Sequence, residues 1–177
     1  MPRHTSFKPY NHPASLPDED FLKQCEIGFG RTAGPGGQNR NKVETAVFIT
    51  HKPTGIEAHA SERRKQYENR LMAVKRLRLK LAMKLRTQVH PQKHRPSELW
   101  ESRRQGEKMS VNPNHRDYPG LLAEAMDVIA ARKWDVAGAA GVLGITMSQL
   151  AKLVRHERHA FLTVNEGRES RGLPALK

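Results

Sequence analysis

The sequence predicts an α+β protein in which a small β-sheet packs on a long helix and a small all-α, helix-turn-helix-like module follows. Three observations support this prediction. Residues 43–50 and 56–60 alternate between apolar and polar side chains, as half-buried strands do. Residues 61–86 carry apolar side chains at helical spacing. Residues 118–177 are rich in alanine and leucine in amphipathic patterns.

The stretch before the hairpin begins as an extended arm, predicted for residues 1–24 because it is punctuated by prolines: Pro2, Pro9, Pro13 and Pro17. Residues 18–25 can add one or two helical turns. A short strand is predicted at residues 26–31, and a glycine-rich polar loop at residues 32–42. The loop therefore joins two neighbouring strands of the predicted sheet.

The hairpin turns at residues 51–55, where the sequence His-Lys-Pro-Thr-Gly has the chemistry of a tight turn. Ser61 followed by Glu62 then predicts the N-cap and the first-turn acid of the long helix. That helix, over residues 61–86, would be about 37 Å long. One apolar stripe predicts its buried face: Tyr67, Leu71, Val74, Leu77, Leu81 and Leu85.

Residues 87–117 contain three prolines and mixed charge, and they predict a basic linker with a short helix near residues 97–104. His90 and His94 have the spacing of a metal-binding pair. Flanking prolines and the lack of a third ligand in register favour a solvated linker instead. We expect Trp100 and Trp134 to anchor packing rather than to stack on bases.

The module at residues 118–177 shows helix signals in series. Asp135 can cap a helix that ends at Gly144, and Thr146 with Gln149 forms a capping-box signature for the next helix. A helix, a short turn and a second helix resemble a helix-turn-helix, although small helical bundles share this pattern.

The charge is basic and localised. The chain has 177 residues, with 31 Lys and Arg against 18 Asp and Glu, which gives a net charge of +13. Residues 61–117 hold 16 basic and 6 acidic side chains, a net of +10. Such a concentration favours a polyanionic partner, above all nucleic acid.

Several classes of protein are excluded by composition. No apolar run reaches the roughly 18–20 residues of a membrane span, and the first 20 residues lack the apolar core of a secretory signal. Cys25 is a single cysteine, so an internal disulfide and a cysteine-built zinc site are excluded. We therefore expect a cytoplasmic protein with no membrane partner, no metal and no cofactor.

The glycine-rich loop carries the sharpest motif, Gly34-Pro35-Gly36-Gly37-Gln38. Adjacent glycines let the backbone approach a ligand closely, and exposed N–H groups can bind an oxyanion or a phosphate. No Lys-Ser/Thr pair follows at P-loop spacing and no G-x-G-x-x-G is present, so nucleotide-binding loops are excluded. From spacing alone, an ordinary flexible turn is an equally good interpretation.

Several motifs in register resemble the catalytic domain of class I peptide chain release factors. They are the glycine-glycine-glutamine loop with the following Asn41-Lys42, the hairpin turn at residues 51–55, Glu62-Arg63 and Asn69-Arg70. The resemblance begins at residue 26 and assigns a catalytic domain to residues 25–86. The sequence departs from the family pattern at Ala33 and at Asn39-Arg40, where the family usually has a small hydroxyl residue and His-Val.

The resemblance implies hydrolysis of the ester that joins a nascent peptide to tRNA, in the peptidyl transferase centre of the large ribosomal subunit. Gly36 and Gly37 would supply the backbone shape, and the main-chain N–H of Gln38 would stabilise developing negative charge. The Gln38 side chain would place water. It is also a candidate for N5-methylation, which implies a glutamine N5-methyltransferase as a partner.

The basic charge and the resemblance together favour ribosomal RNA contact. The candidate residues are Arg31, Arg40, Asn41, Lys42, Arg63, Arg64, Lys65, Arg70, Lys75 and Arg78. The short, proline-rich stretch before the loop cannot hold a stop-codon-reading domain. The sequence therefore predicts a codon-independent release factor that rescues stalled ribosomes, anchored to ribosomal RNA by residues 87–177.

Two other functions stay open at this point. The chain could be a non-catalytic factor that binds the ribosome or its RNA and has kept the fold. It could also be a helix-turn-helix DNA-binding protein. The predicted recognition helix offers few base-reading side chains, namely Gln149, Lys152 and Arg155.

Overall fold

The computed structural model describes residues 9–31 and 44–177. In these ranges the chain forms, in order, α1 (Asp18–Lys23), β1 (Cys25–Gly30), β2 (Ala46–His51), β3 (Ile56–Ala60), α2 (Gln66–Lys84), α3 (Glu98–Arg103), β4 (Arg104–Gln105), β5 (Lys108–Met109), α4 (Tyr118–Ala131), α5 (Val136–Leu143), α6 (Met147–Arg155) and α7 (Arg158–Glu169). The predicted α+β class is confirmed.

The sheet is antiparallel with the strand order β1-β2-β3. One face is buried, with Val47 and Ile49 of β2 and Ala58 and Ala60 of β3 at most 3% exposed, and α2 packs on both of these strands. The predicted hairpin is confirmed, and β3 has the predicted bounds. β2 starts at Ala46, later than predicted, and the Thr45 carbonyl before it accepts from Asn69 of α2.

Helix α2 has 19 residues, so it is about 28 Å long rather than the predicted 37 Å. The N-cap predicted at Ser61 is wrong, because the helix follows Lys65 and has no side-chain cap. Buried Asn69 holds the preceding turn instead. Its Oδ1 accepts from the Arg63 N–H at 2.9 Å, and its Nδ2 donates to the Arg63 carbonyl at 3.0 Å.

The apolar stripe predicted along α2 is buried in the C-terminal half of the helix and open in the N-terminal half. Leu77 and Leu81 are fully buried, whereas Tyr67 is 68% exposed and Leu71 is 54% exposed. The first turns of α2 bury Asn69 and Ala73, while α4 covers the helix further along. The prediction that the whole stripe is core is therefore wrong at its start.

The segment predicted to be a linker, 87–117, is mostly exposed, but several of its side chains pack on the rest of the chain. Ser97 caps α3 by accepting from the Trp100 N–H at 3.1 Å, which agrees with the predicted short helix. Trp100 is fully buried, and its indole N–H donates to the Leu143 carbonyl at 2.9 Å. His94 is also packed rather than solvated, because its Nε2 lies 2.8 Å from the buried carboxylate of Glu124.

A second buried carboxylate on α4, that of Asp127, lies one turn from Glu124 and receives several donors. Arg86 Nη1 lies 3.0 Å away, the Thr87 N–H lies 3.2 Å away and the Thr87 hydroxyl also donates. The Tyr10 hydroxyl donates at 2.8 Å, and burial raises the pKa of Tyr10. These bonds fix the chain that follows α2 to α4.

The N-terminal residues 9–24 also pack, although an extended arm is predicted there. Ala14 and Phe21 are buried, and residues 13–15 form a 3-10 turn that contacts α2 and α4. The hydrophobic core is continuous from the sheet to the C-terminal helices. The division of the chain into four domains stays a prediction.

The C-terminal module agrees with its predicted caps. Asp135 accepts from the Gly138 N–H at 3.0 Å, Gly144 ends α5 with φ +69°, and Thr146 accepts from the Gln149 N–H at 3.3 Å. Helices α5 and α6 cross at a bend of 102°, a helix-turn-helix-like arrangement. Within the described ranges no single helix has the length and apolar character to span a membrane, although α5 and α6 meet that test together as a bent pair.

Candidate functional site

The loop that carries the glycine-glycine-glutamine motif leaves the sheet between β1 and β2. Six predicted site residues lie on residues 32–43, outside the described part of the chain: Gly36, Gly37, Gln38, Arg40, Asn41 and Lys42. The described stems of this loop face each other. Gly30 is paired with Ala46, and Arg31 Nε lies 3.7 Å from the Glu44 carboxylate.

The first turn of α2 holds the second stem of the loop. Gln66 Nε2 donates to the Glu44 carbonyl at 2.7 Å, and Asn69 Nδ2 donates to the Thr45 carbonyl at 2.7 Å. Asn69 is fully buried, so its amide is satisfied by hydrogen bonds within the protein, whereas Gln66 and Glu44 are exposed. Neither Gln66 nor Glu44 is among the site residues predicted from the sequence. The usable signal is an asparagine that interrupts the helical core pattern of α2.

Four of the seven described candidates for RNA contact, Arg63, Arg64, Lys65 and Arg70, lie in the first turns of α2 or just before it. Arg31, Arg63, Arg64, Lys65 and Arg70 are all exposed. Lys75 is half-buried, and its Nζ donates to the Asn114 carbonyl at 3.0 Å, so its charge has a neutral partner. Arg63, Arg64, Lys65 and Arg70 thus flank Gln66 and Asn69, the residues that hold the stem of the loop. Their contact with RNA stays a prediction.

The predicted contact of Arg78 with RNA does not agree with its place in the structure. Its guanidinium is 7% exposed and lies 4.1 Å from the centre of the Phe21 ring. Arg78 Nη1 donates to the Leu16 carbonyl at 2.8 Å, and Nη2 lies 2.8 Å from the Asp18 carboxylate. Because these donors are used inside the protein, Arg78 holds the N-terminal segment on α2 and is not available for RNA. Helical periodicity alone does not distinguish this arginine from its exposed neighbours.

An ion pair between Arg76 and Glu62 lies beside the exposed basic residues at the start of α2. Arg76 lies 2.6 Å from the Glu62 carboxylate, and this hydrogen bond lowers the pKa of Glu62 to about 2. Arg76 also donates to the His59 carbonyl at 2.8 Å. Arg76 therefore ties the turn before α2 to β3. Among residues 9–31 and 44–177, no three His, Cys, Asp or Glu side chains are grouped so that they could hold a metal ion.

Helix α6 would be the recognition helix of a DNA-binding protein, but part of it is bound to other segments of the chain. Gln149 Oε1 accepts from the Met109 N–H at 3.2 Å, and the Thr146 N–H donates to the Glu107 carbonyl at 3.1 Å. Lys152 and Arg155 remain exposed. With its amide oxygen bound to β5, Gln149 is poorly placed to read a base edge, so the DNA-binding alternative loses its best side chain.

Comparison with known proteins identifies a family and several relatives of this chain. The RF-1 domain family model matches residues 21–119, more than half of the chain. Peptide chain release factor PrfB1, chloroplastic, of Arabidopsis thaliana is 40% identical over 103 residues, which is 58% of this chain and 20% of that protein. Peptide chain release factor 1 of Chloroherpeton thalassium is 59% identical over 74 residues, which is 38% of this chain and 21% of that protein.

Peptide chain release factor 2 of Helicobacter pylori is 40% identical over 83 residues, which is 45% of this chain and 23% of that protein. The chain thus spans about a fifth of the length of these curated relatives. The family match contains the whole sheet, the glycine-rich loop and α2. The predicted resemblance is confirmed, and the chain belongs to the RF-1 domain family.

Proposed function

We propose that this protein is a ribosome-dependent peptidyl-tRNA ester hydrolase with release factor activity that does not depend on a stop codon and that rescues stalled ribosomes. One observation carries the proposal. The sequence Gly36-Gly37-Gln38 lies intact inside the residues that match the RF-1 domain family. Its relatives bear the name peptide chain release factor, and hydrolysis of the peptidyl ester is the chemistry that releases a nascent chain.

The chemistry needs few side chains. The main-chain N–H of Gln38 stabilises the charge that develops in the tetrahedral transition state or on the leaving ribose oxygen. A donor of this kind contributes about 10²–10³ in rate in other hydrolases. Gly36 and Gly37 allow the backbone to approach the ester, and the Gln38 amide places water. No general base and no cofactor is required.

The stems of the loop support this role. An electrostatic donor is effective when it is held before the reaction begins. Gln66 and Asn69 bind the carbonyls of Glu44 and Thr45, and Arg31 faces Glu44 across the base of the loop. These contacts anchor the base of the loop to the rigid first turn of α2.

The described part of the chain offers two candidate anchors on the ribosome. Residues 9–24 pack on α2, and residues 97–177 form helices and a small hairpin around α4. We assign the ribosome anchor to the basic residues that follow β3 and to the C-terminal module, with ribosomal RNA of the large subunit as the partner. The activity is placed in the cytoplasm, with Gln38 as the substrate of a glutamine N5-methyltransferase.

A peptide release assay tests the proposal. Ribosomes that carry a labelled peptidyl-tRNA and an mRNA without a stop codon are mixed with the wild-type chain, Gln38→Ala or Gly37→Ala. We expect both variants to lose about 100-fold or more in release rate. Gln88→Ala, at an exposed glutamine beyond α2, is the matched control and should release at the wild-type rate. Full activity in Gln38→Ala and Gly37→Ala would contradict the assigned role of the loop.

A further inference from the structure

The open half of the α2 stripe is an apolar surface beside a basic cluster. Tyr67 and Leu71 lie one turn apart on one face of α2 and are 68% and 54% exposed. Further along the same face, Arg78 and Ala82 are buried, where the 3-10 turn at residues 13–15 and α4 cover α2. One helix face is therefore covered by the chain in its second half and left uncovered in its first half.

The exposed aromatic side chain of Tyr67 does not stabilise the fold through any partner among the described residues. Tyr67 is the most exposed of the large hydrophobic side chains in the described chain. Its hydroxyl and its ring have no hydrogen-bond or ring partner among the described residues. A ring of this size loses about 1 kcal/mol or more of favourable burial when it stays in water, so an external partner is the better explanation.

The charges around Tyr67 select the kind of partner. Arg64 and Lys65 precede the helix and Arg70 lies one turn after Tyr67, all three exposed and without an acidic partner in residues 9–31 and 44–177. Lys75 lies one turn beyond Leu71 and is bound to a neutral carbonyl. Positive charge on both sides of an exposed aromatic ring is the composition of a surface that holds phosphates and stacks a base between them.

We propose that Tyr67 stacks on an unpaired nucleobase of RNA, with Leu71 extending the apolar contact and with Arg64, Arg70 and Lys75 bound to the flanking phosphates. A base in a duplex has its faces covered by its neighbours, so this surface selects a base that is unstacked or looped out. The choice of RNA as the partner rests on the proposed function. The stacking role of Tyr67 goes beyond it, since it assigns selectivity for unpaired RNA to one side chain.

Binding of two short RNAs to the full chain tests this inference. The probes are a labelled 12-nucleotide oligoadenylate and a blunt 12-base-pair RNA duplex, measured by anisotropy at several salt concentrations. Tyr67→Ala should raise the Kd for the oligoadenylate about tenfold and change the Kd for the duplex less than twofold. Tyr67→Phe should bind like the wild type. Arg70→Ala should weaken binding to both probes and reduce the salt dependence by about one phosphate contact.

Leu162→Ala on α7 is the matched control, because Leu162 is an exposed apolar residue, 45% exposed, on another helix. It should bind both probes like the wild type. Equal weakening of both probes by Tyr67→Ala, or no weakening of either, would overturn the inference. The result is separable from the proposed function, because Gln38→Ala should leave RNA binding intact while it abolishes peptide release.

Discussion

The two halves of α2 share one periodic pattern but have different surroundings. In the second half Leu77 and Leu81 are fully buried beneath β3 and α4. In the first half Tyr67 and Leu71 stay exposed on the side away from the sheet. The comparison teaches that helical periodicity identifies an interface but does not say whether its partner lies within the chain.

The polar residues of α2 show the same contrast. Arg78 in the second half binds carbonyls of the N-terminal segment and is buried. Arg70 in the first half is exposed, near the stem of the loop that Asn69 holds. We interpret the second half as the structural half, and under the proposed function the first half is the half that would face the ribosome. The following predictions test this division.

The largest loss of stability is expected from substitution of Asp127. Its carboxylate fixes the residues after the second half of α2 to α4. Asp127→Ala leaves Arg86, Thr87 and Tyr10 without their buried acceptor, and we expect the free energy of unfolding to fall by about 3–5 kcal/mol. Urea unfolding measures this. Asp20→Ala is the control, because Asp20 forms an exposed pair with Lys23 and should cost less than about 1 kcal/mol. Similar losses in both variants would contradict the account.

A pair of leucine truncations compares the halves directly. Leu77→Ala removes a fully buried side chain and should lower the free energy of unfolding by about 2–4 kcal/mol. Leu71→Ala should change it by less than about 0.5 kcal/mol, because this side chain is already in water. Thermal unfolding of both variants measures the two changes in the free energy of unfolding. Equal destabilisation would show that the first half is also packed.

Asn69→Ala tests the link between α2 and the glycine-rich loop. It leaves the Thr45 carbonyl and the Arg63 backbone without their partner, and we expect a loss of about 1–3 kcal/mol. The peptide release rate should also fall, since the stem of the loop loses its anchor. Asn114→Ala, at an exposed asparagine, should change neither quantity. A normal rate of peptide release by a folded Asn69→Ala chain would show that α2 does not position the loop.

The smallest effect is expected from pH, through His12 at the end of the second half. Its Nδ1 accepts from the Ala14 N–H at 3.0 Å, its Nε2 lies 3.2 Å from the Leu85 carbonyl, and burial lowers the pKa of His12 below its usual 6.5. The unfolded chain therefore takes up a proton first as the pH falls below about 6.5, and stability decreases from there downward.

Urea unfolding at pH 7.5 and at pH 5.5 measures this effect. Burial also lowers the pKa of His51, so His12→Gln should reduce the pH dependence without abolishing it. The control is His159→Gln, at an exposed histidine on α7, which should keep the wild-type dependence. An unchanged pH dependence in His12→Gln would contradict the role assigned to His12.

Local patterns in the sequence predicted the hairpin, the short helix near residues 97–104 and the helix caps at Asp135 and Thr146, because these depend on neighbouring residues. The burial of Arg78 and of Asp127 could not be predicted in this way. An arginine in a basic helix and an aspartate in a module helix look like surface residues until another segment packs on them.

The contacts of His94 and Ser97 could not be predicted for the same reason. His94 and Ser97 are bound by Glu124, which lies about thirty residues further along the chain. The chemistry of the candidate site rests on the motif and the family, while the structure adds the anchors of its stem, Gln66 and Asn69.

The most direct test of the central claim is the rate of peptide release from ribosomes that differ only in what the decoding site holds. Three complexes are compared: a stop codon, a sense codon and an mRNA truncated after the last decoded codon. Codon-independent rescue predicts release from the truncated complex, no advantage of the stop codon over the sense codon, and loss of release in Gln38→Ala. Release that requires the stop codon, or that persists in Gln38→Ala, would contradict the account.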